Sequence, residues 1–173
     1  MEPITSRRSS FILLILLFVS VSVVFTVSLV KKQQEIREKA AAATALEVDP
    51  AAVTVNQGDE FNINVKMRTG SNQVTRAELT VNYDKNYLDG VSITPGSFMP
   101  GVALAGVIQN GVANLVLTAP TTSPAFGEGV LATIRLRARN PVAASEISFA
   151  GNTLLSALTE EGNALTSAGK ATI

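Results

Sequence analysis

The chain is poor in the side chains that do most biological chemistry. It contains no His and no Cys, which removes imidazole-based triads, thiol nucleophiles, disulfide frameworks and the usual zinc ligand sets together. Glu160 and Glu161 stand side by side before Gly162. Acid/base work by two carboxylates needs a set separation across a substrate, and this triplet reads as a turn. Arg135, Arg137 and Arg139 alternate along one run and would offer a basic stripe to an anionic polymer, although such alternation is also the pattern of a solvated sheet face. Aromatic residues make up 5% of the chain, with no Trp, so a sugar-stacking platform would have to come from Tyr87 and Phe98, with Phe126 as a third candidate. No residue is assigned to catalysis, to a cofactor or to a metal, and the chain is read as a non-enzyme. A formal net charge of +0 with 16% charged residues leaves no electrostatic footprint for nucleic acid outside the basic flanks of an N-terminal apolar run.

What remains is binding chemistry on strand faces. In RAELTVNYD, Ala77, Leu79, Val81 and Tyr83 alternate with Arg76, Glu78, Thr80 and Asn82. A strand sends successive side chains to opposite faces, so the first set is expected inward and the second outward. VANLVLTA likewise turns Leu115 and Leu117 inward and Asn114, Val116 and Thr118 outward. The candidate partner-binding residues are therefore Arg76, Glu78, Thr80, Asn82, Asn114, Val116 and Thr118.

The elements that position them are strands throughout. FNINVKM alternates Phe61, Ile63, Val65 and Met67 against polar residues, and VLATIRLRARN places Ala132, Ile134, Leu136 and Ala138 opposite the three arginines. Shorter candidates are Ala45 to Asp49, Ala52 to Val55, Val91 to Thr94, Val102 to Ile108, Val112 to Thr118, Glu146 to Phe149 and Ala171 to Ile173. Gly and Pro separate them at Gln57-Gly58, Pro95-Gly96, Pro100-Gly101, Asn110-Gly111, Gly127 to Gly129 and Asn140-Pro141. Asn110-Gly111 between two apolar runs is the strongest hairpin signal, because a tight hairpin turn needs positive φ at both central positions. Many short strands without helical interludes predict an all-β, antiparallel sandwich; the missing Trp and paired Cys of antibody-type domains favour the jelly-roll kind.

Ahead of this body, Phe11 to Val30 carries no charge, Pro or Gly and has roughly the 20 residues a helix needs to cross a bilayer core. Residues 1–10 read as a short tail, 11–30 as a transmembrane signal anchor, 31–45 as a helical stalk rich in helix formers, and 46–173 as the β-domain. Arg7 and Arg8 precede the span while Lys31, Lys32, Arg37 and Lys39 follow it, so charge alone does not orient it. The layout of short tail, first apolar segment and following domain is that of a signal anchor exporting what comes next, to give a single-pass protein of the cell membrane with an extracytoplasmic domain. A cleaved signal peptide, with the Ala40 to Ala43 run as its processing site, is the alternative; the apolar run exceeds the roughly 7–15 residues of a secretory core, and the Ala run lies well beyond its end. A pilin-like arrangement would need a Glu just inside the run and a Gly-Phe site before it, and neither is present.

The order VNQGDEFNINVKM, TRAELTVNYDKNYLDGVSITPGSFMP, NGVANLVLTA, GEGVLATIRLRAR resembles the cohesin family, the modules of cellulosome scaffolds and related surface proteins. The most telling pieces are Gly58-Asp59, Tyr83-Asp84, Pro95-Gly96-Ser97-Phe98 and the run from Gly129 to Ile134. The resemblance implies a nine-stranded jelly-roll that recruits a dockerin, a small helical module carrying its own calcium, on one sheet face. It places the outward residues of RAELTVNYD on that face and the three arginines on the opposite sheet. Where familiar cohesins carry an amide and a carboxylate early in this strand, Arg76 and Glu78 stand here, so partner specificity does not transfer. A carbohydrate-binding or adhesive sandwich, with polysaccharide as its ligand, is the competing expectation.

Overall fold

The computed structural model describes residues 22, 26–33, 43–158 and 160–173. The chain divides into two units, Met1–Ala41 and Ala42–Ile173. In the first, residues 26–33 are helical, and the Thr26 hydroxyl donates to the Ser22 carbonyl at 2.8 Å, which gives a polar side chain a partner on its own helix. Most of the expected span, Phe11 to Val30, lies outside the described residues, as does most of the expected stalk. Among the described residues no helix is long and apolar enough to cross a membrane.

The second unit is a two-sheet β-sandwich of eleven strands: β1 (Thr44–Asp49), β2 (Glu60–Arg68), β3 (Val74–Tyr83), β4 (Leu88–Pro95), β5 (Gly101–Gln109), β6 (Val112–Thr118), β7 (Glu128–Ala138), β8 (Glu146–Phe149), β9 (Leu154–Ala157), β10 (Leu165–Ala168) and β11 (Ala171–Thr172). One sheet runs β10-β1-β2-β7-β4; the other runs β11-β8-β3-β6-β5, with β9 also paired to β3. All pairings are antiparallel except β1 with β10, which is parallel.

Alternation explains the core. Ile63, Val65 and Met67 of β2, Ala77, Leu79 and Val81 of β3, Ala113, Leu115 and Leu117 of β6, and Ala132, Ile134 and Leu136 of β7 are all buried between the sheets. Leu131 is buried beside Ala132 because the β2–β7 register slips between Val65 and Lys66, and a bulge lets two successive residues of one strand face one of its neighbour.

Three expectations need correction. Thr44, placed in the helical stalk, opens β1; Ala45, given both to the end of the stalk and to the candidate strand Ala45 to Asp49, belongs to the strand, where it pairs with Arg68. Ala52 to Val55 forms no strand: Ala52 makes an isolated bridge to Thr172 and the rest runs on without a ladder. Among the described residues the strands number eleven, against the nine that the resemblance implies. Two of the added strands, β9 and β10, are short and lack alternation, and β10 exists because β1, far away in sequence, gives it a parallel partner.

Candidate partner-binding face

The Asn110-Gly111 turn sets the register of the candidate face. Asn110 has φ 53° and Gly111 φ 84°, the pair of positive values that a two-residue hairpin matching strand twist requires, and Gln109 pairs directly with Val112 across it. A side chain at Gly111 would also meet the Tyr83 carbonyl at 2.8 Å. This hairpin joins β6 to the edge strand β5, while β3 lies on the other side of β6.

Cross-strand pairs share a face, so the outer surface can be read in rows. Arg76 stands opposite Thr118 and then Gly101; Glu78 opposite Val116 and then Leu104; Thr80 opposite Asn114 and then Val107; Asn82 opposite Val112 and then Gln109. On the far side of β3, Ser156, Leu154 and Ser148 continue the rows of Arg76, Glu78 and Asn82. The seven candidate residues thus lie together on one outer face, with Arg76 and Asn82 exposed and the other five half-buried. Arg76 Nε and Glu78 Oε1 form an ion pair at 2.7 Å. Thr80 is flanked by Thr153, whose hydroxyl donates to the Thr80 carbonyl at 3.0 Å.

Strand β5 contributes residues that the sequence reading did not single out. Leu104 is 56% exposed and Val107 45%, and both point outward. The run VALAGVI is apolar at every position, so alternation could not assign a face; the available signal was an apolar run at a hairpin next to a patterned strand. Gly106 explains how this strand sits. A Cβ there would come 2.5 Å from the Ile93 carbonyl oxygen of β4, so a glycine lets β5 close against the edge of the other sheet.

The opposite outer face is different in kind. Glu47 and Glu128 hold Arg68, Asp49 holds Lys66 at 2.7 Å, Glu60 holds both Arg135 and Arg137, and Asp89 lies 3.6 Å from Arg139. The hydrogen bond from Arg137, with the Arg135 and Arg137 charges, keeps the Glu60 carboxyl below its ordinary range against a partial desolvation that opposes it. Each of the three arginines is therefore paired, two of them with the one Glu60 carboxylate, and the stripe keeps about one net positive charge in place of three.

Other candidates from the sequence separate on inspection. Tyr87 and Phe98 are half-buried and pack against the core, whereas Phe126 is 63% exposed. Glu160 and Glu161 are exposed in a turn closed by Gly162 at φ 95°. Among the described residues no cluster of acidic side chains could hold a metal ion. A polar cleft of about 560 Å³ lies at one end of the sandwich, lined by residues that include Tyr83, Lys85, Asp89 and Arg139; burial pushes the Tyr83 phenol up from its ordinary value, and nothing there pairs a nucleophile with a base.

This sandwich, with one charged face and one mostly uncharged face, matches a known family. The cohesin domain matches residues 46–173, and the chain belongs to the cohesin family. CaCohA2 of Clostridium acetobutylicum is similar in structure, at 16% identity over 77% of this chain and 90% of that one, with a TM-score of 0.66. A non-cellulosomal cohesin of Archaeoglobus fulgidus is similar at 16% identity over 76% and 89%, TM-score 0.61. The sixth cohesin of Acetivibrio cellulolyticus scaffoldin B, solved in complex with a mutant Cel5 dockerin, is similar at 18% identity over 75% and 96%, TM-score 0.62. Likeness at such identities establishes the fold. A search of curated proteins finds no match.

Proposed function

We propose that this chain is a protein-binding module, not an enzyme, that recruits a dockerin-type partner on the outer face of β3, β6 and β5. The observation that carries the reading is the asymmetry of the sandwich. One outer face is laced with ion pairs, while the other exposes Leu104 and Val107 beside Val116. Clustered apolar side chains rimmed by polar ones mark interaction surfaces. The complex of the Acetivibrio cohesin with a dockerin supports the class of partner. The calcium of such a complex would be carried by the partner.

The apolar run from Phe11 to Val30 supports anchoring in a membrane with the β-domain outside the cytoplasm, a cell-surface assembly role that fits recruitment of polysaccharide-degrading partners. A direct carbohydrate site has less to stand on, since Phe126 is the one exposed aromatic among the three loop candidates.

The test is capture by the full chain, in detergent, of a panel of calcium-loaded dockerin modules, beside retardation in a polysaccharide gel. Val116→Arg, which puts a charge in the middle row of the face, is expected to abolish capture while leaving the thermal melt in place. Capture unchanged by Val116→Arg would move the site to the loops around Phe98 and Phe126. Retardation in the gel with no dockerin captured would replace the reading with the carbohydrate one.

A further inference from the structure

We infer that the β-domain carries a second site, independent of the partner-binding face: a pocket that takes one neutral, polyhydroxylated ring, the single residue of a sugar. The pocket has a volume of about 310 Å³ and shares no lining residue with the rows of β3, β6 and β5. It lies beside the polar cleft, with which it has Leu88 in common. Residues 53–57 and 140–143, which belong to no strand, form most of its walls, with Tyr87 and Ser145 among the rest. Backbone bonds hold these stretches in place. The Val53 amide donates to the Thr172 carbonyl at 3.0 Å, the Gly58 amide to the Ala138 carbonyl at 2.8 Å and the Arg139 amide to the Tyr87 carbonyl at 2.7 Å, while Ser145 and Ile173 exchange a pair of bonds at 2.8 Å. A pocket tied in this way is formed before its ligand arrives.

Ser145 is the residue that points to a ligand. It is 6% exposed and lines the pocket, and its hydroxyl has no hydrogen-bond partner, whereas buried polar groups are nearly always paired. One water would answer the hydroxyl, but the pocket has room for about ten at roughly 30 Å³ each. The rest of the lining describes the occupant. It includes no charged side chain, so a charged ligand would lose its hydration without gaining a counter-ion. Asn56, Gln57 and Asn140 each spend a side-chain N–H, on the Asp59 carboxylate, the Arg139 carbonyl and the Asn86 carbonyl, at 3.1, 2.9 and 2.6 Å. Their amide oxygens remain as acceptors, which calls for a ligand rich in O–H donors. Tyr87, Leu88, Val55 and Val142 supply apolar surface for the C–H face of a ring. The volume stands at the lower end of the roughly 300–1,000 Å³ usual for ligand sites, enough for about one or two rings. Such a pocket takes a free sugar or the end of a glycan; it is no platform for a polysaccharide to lie along, and it needs no row of exposed aromatics.

The experiment is saturation-transfer NMR of the full chain in a detergent without a sugar headgroup. The probes are glucose, galactose, mannose and xylose, each free and as its methyl glycoside, with glucuronic acid and phenol as charged and apolar controls. At least one neutral sugar is expected to bind at millimolar concentration; preference for the methyl glycoside would name a glycan end as the source, and preference for the free form a soluble sugar. Ser145→Ala is expected to weaken that binding about three- to tenfold, and Ala143→Phe, which adds a ring to the lining, to abolish it. Ser145→Ala is also expected to melt no lower than the wild type, because its hydroxyl bonds to nothing on the chain. No binding by any neutral sugar, tighter binding of phenol or glucuronic acid, or unchanged affinity in Ser145→Ala would overturn the inference. So would a lower melting temperature of Ser145→Ala, which would give the hydroxyl to a water that belongs to the fold. Val116→Arg is expected to bind the sugar as the wild type does, and Ser145→Ala to capture dockerin unchanged, so the pocket and the partner face stand or fail separately.

Discussion

Arg76 and Glu78 stand two residues apart on β3 and close on each other at 2.7 Å, directly above a core row in which Ala77 and Leu79 are buried. Strand alternation has separated the outer face from the core within four residues. The two should come apart by experiment. Leu79→Ala deletes a side chain that is 1% exposed and is expected to cost about 2–5 kcal/mol of stability. Glu78→Ala and Asn82→Ala are expected to cost about 0.5 kcal/mol or less, as surface changes. Denaturant unfolding of the three variants measures both. A Glu78→Ala loss as large as that of Leu79→Ala would mean that the ion pair supports the fold.

The β5–β6 hairpin makes a second prediction. Gly111 holds φ 84° and would bring a side chain to within 2.8 Å of the Tyr83 carbonyl, so Gly111→Ala meets both a backbone conformation unfavourable to L-residues and a steric conflict. It is expected to destabilise the domain by about 1–3 kcal/mol. Asn110→Gly, at φ 53°, keeps the conformation and is expected to shift stability by no more than about 0.5 kcal/mol. Thermal melts of the two variants decide it; equal losses would mean that the turn does not govern the register.

The sequence carried most of the sandwich because β2, β3, β6 and β7 each bury one face and wet the other, so a period of two is imprinted on their residues. The outward placement of Arg76, Glu78, Thr80, Asn82, Asn114, Val116 and Thr118 was legible for that reason. Leu104 and Val107 were not, because β5 is apolar at successive positions and its bulges break alternation. Strands β9 and β10 were illegible for another reason. LLSA and LTSA have no pattern of their own, and Asn163 between them supplies the order: its side chain accepts from the Leu155 and Leu165 amides and donates to the Thr153 carbonyl. Such side-chain ties leave no periodic trace. Leu131 was missed as a buried residue because a bulge is a property of two strands rather than one.

Stability should depend on acid through Glu60. Its carboxyl titrates below the ordinary 4.5, chiefly because Arg137 donates a hydrogen bond to it, with the Arg135 and Arg137 charges adding to the effect and partial desolvation opposing. A group with a lowered folded pKa stabilises the fold above its unfolded value, and that contribution disappears as pH falls through the lowered one. Glu60→Gln is therefore expected to be less stable than wild type near neutral pH, with the gap closing in acid. Urea unfolding of both proteins at about pH 7 and about pH 3 reads the gap directly. A gap that is constant with pH would mean that the carboxylate's charge contributes nothing and that only its packing matters.

The boundary of the β-domain gives the last prediction. The family match begins at Leu46, yet β1 begins at Thr44, which is fully buried. Thr44 is tied three ways: its hydroxyl donates to the Thr69 carbonyl at 3.1 Å, accepts from the Asn72 side-chain amide at 2.9 Å, and its carbonyl accepts from the Thr166 hydroxyl at 2.9 Å. These bonds join the start of β1 to the β2–β3 loop and to β10. A fragment of residues 43–173 is expected to fold alone as an all-β domain whose circular dichroism is unaffected by a chelator, since no metal-ligating cluster is found among the described residues. A fragment of residues 46–173 gives up the three Thr44 bonds, each worth about 0.5–1.5 kcal/mol, and is expected to be less stable by about 1.5–4.5 kcal/mol in total. Denaturant unfolding of the two fragments compares them. Equal midpoints would show that Thr44 merely trails along the edge of the sheet, and chelator-induced loss of β signal in either fragment would reveal a metal dependence that these side chains give no reason to expect.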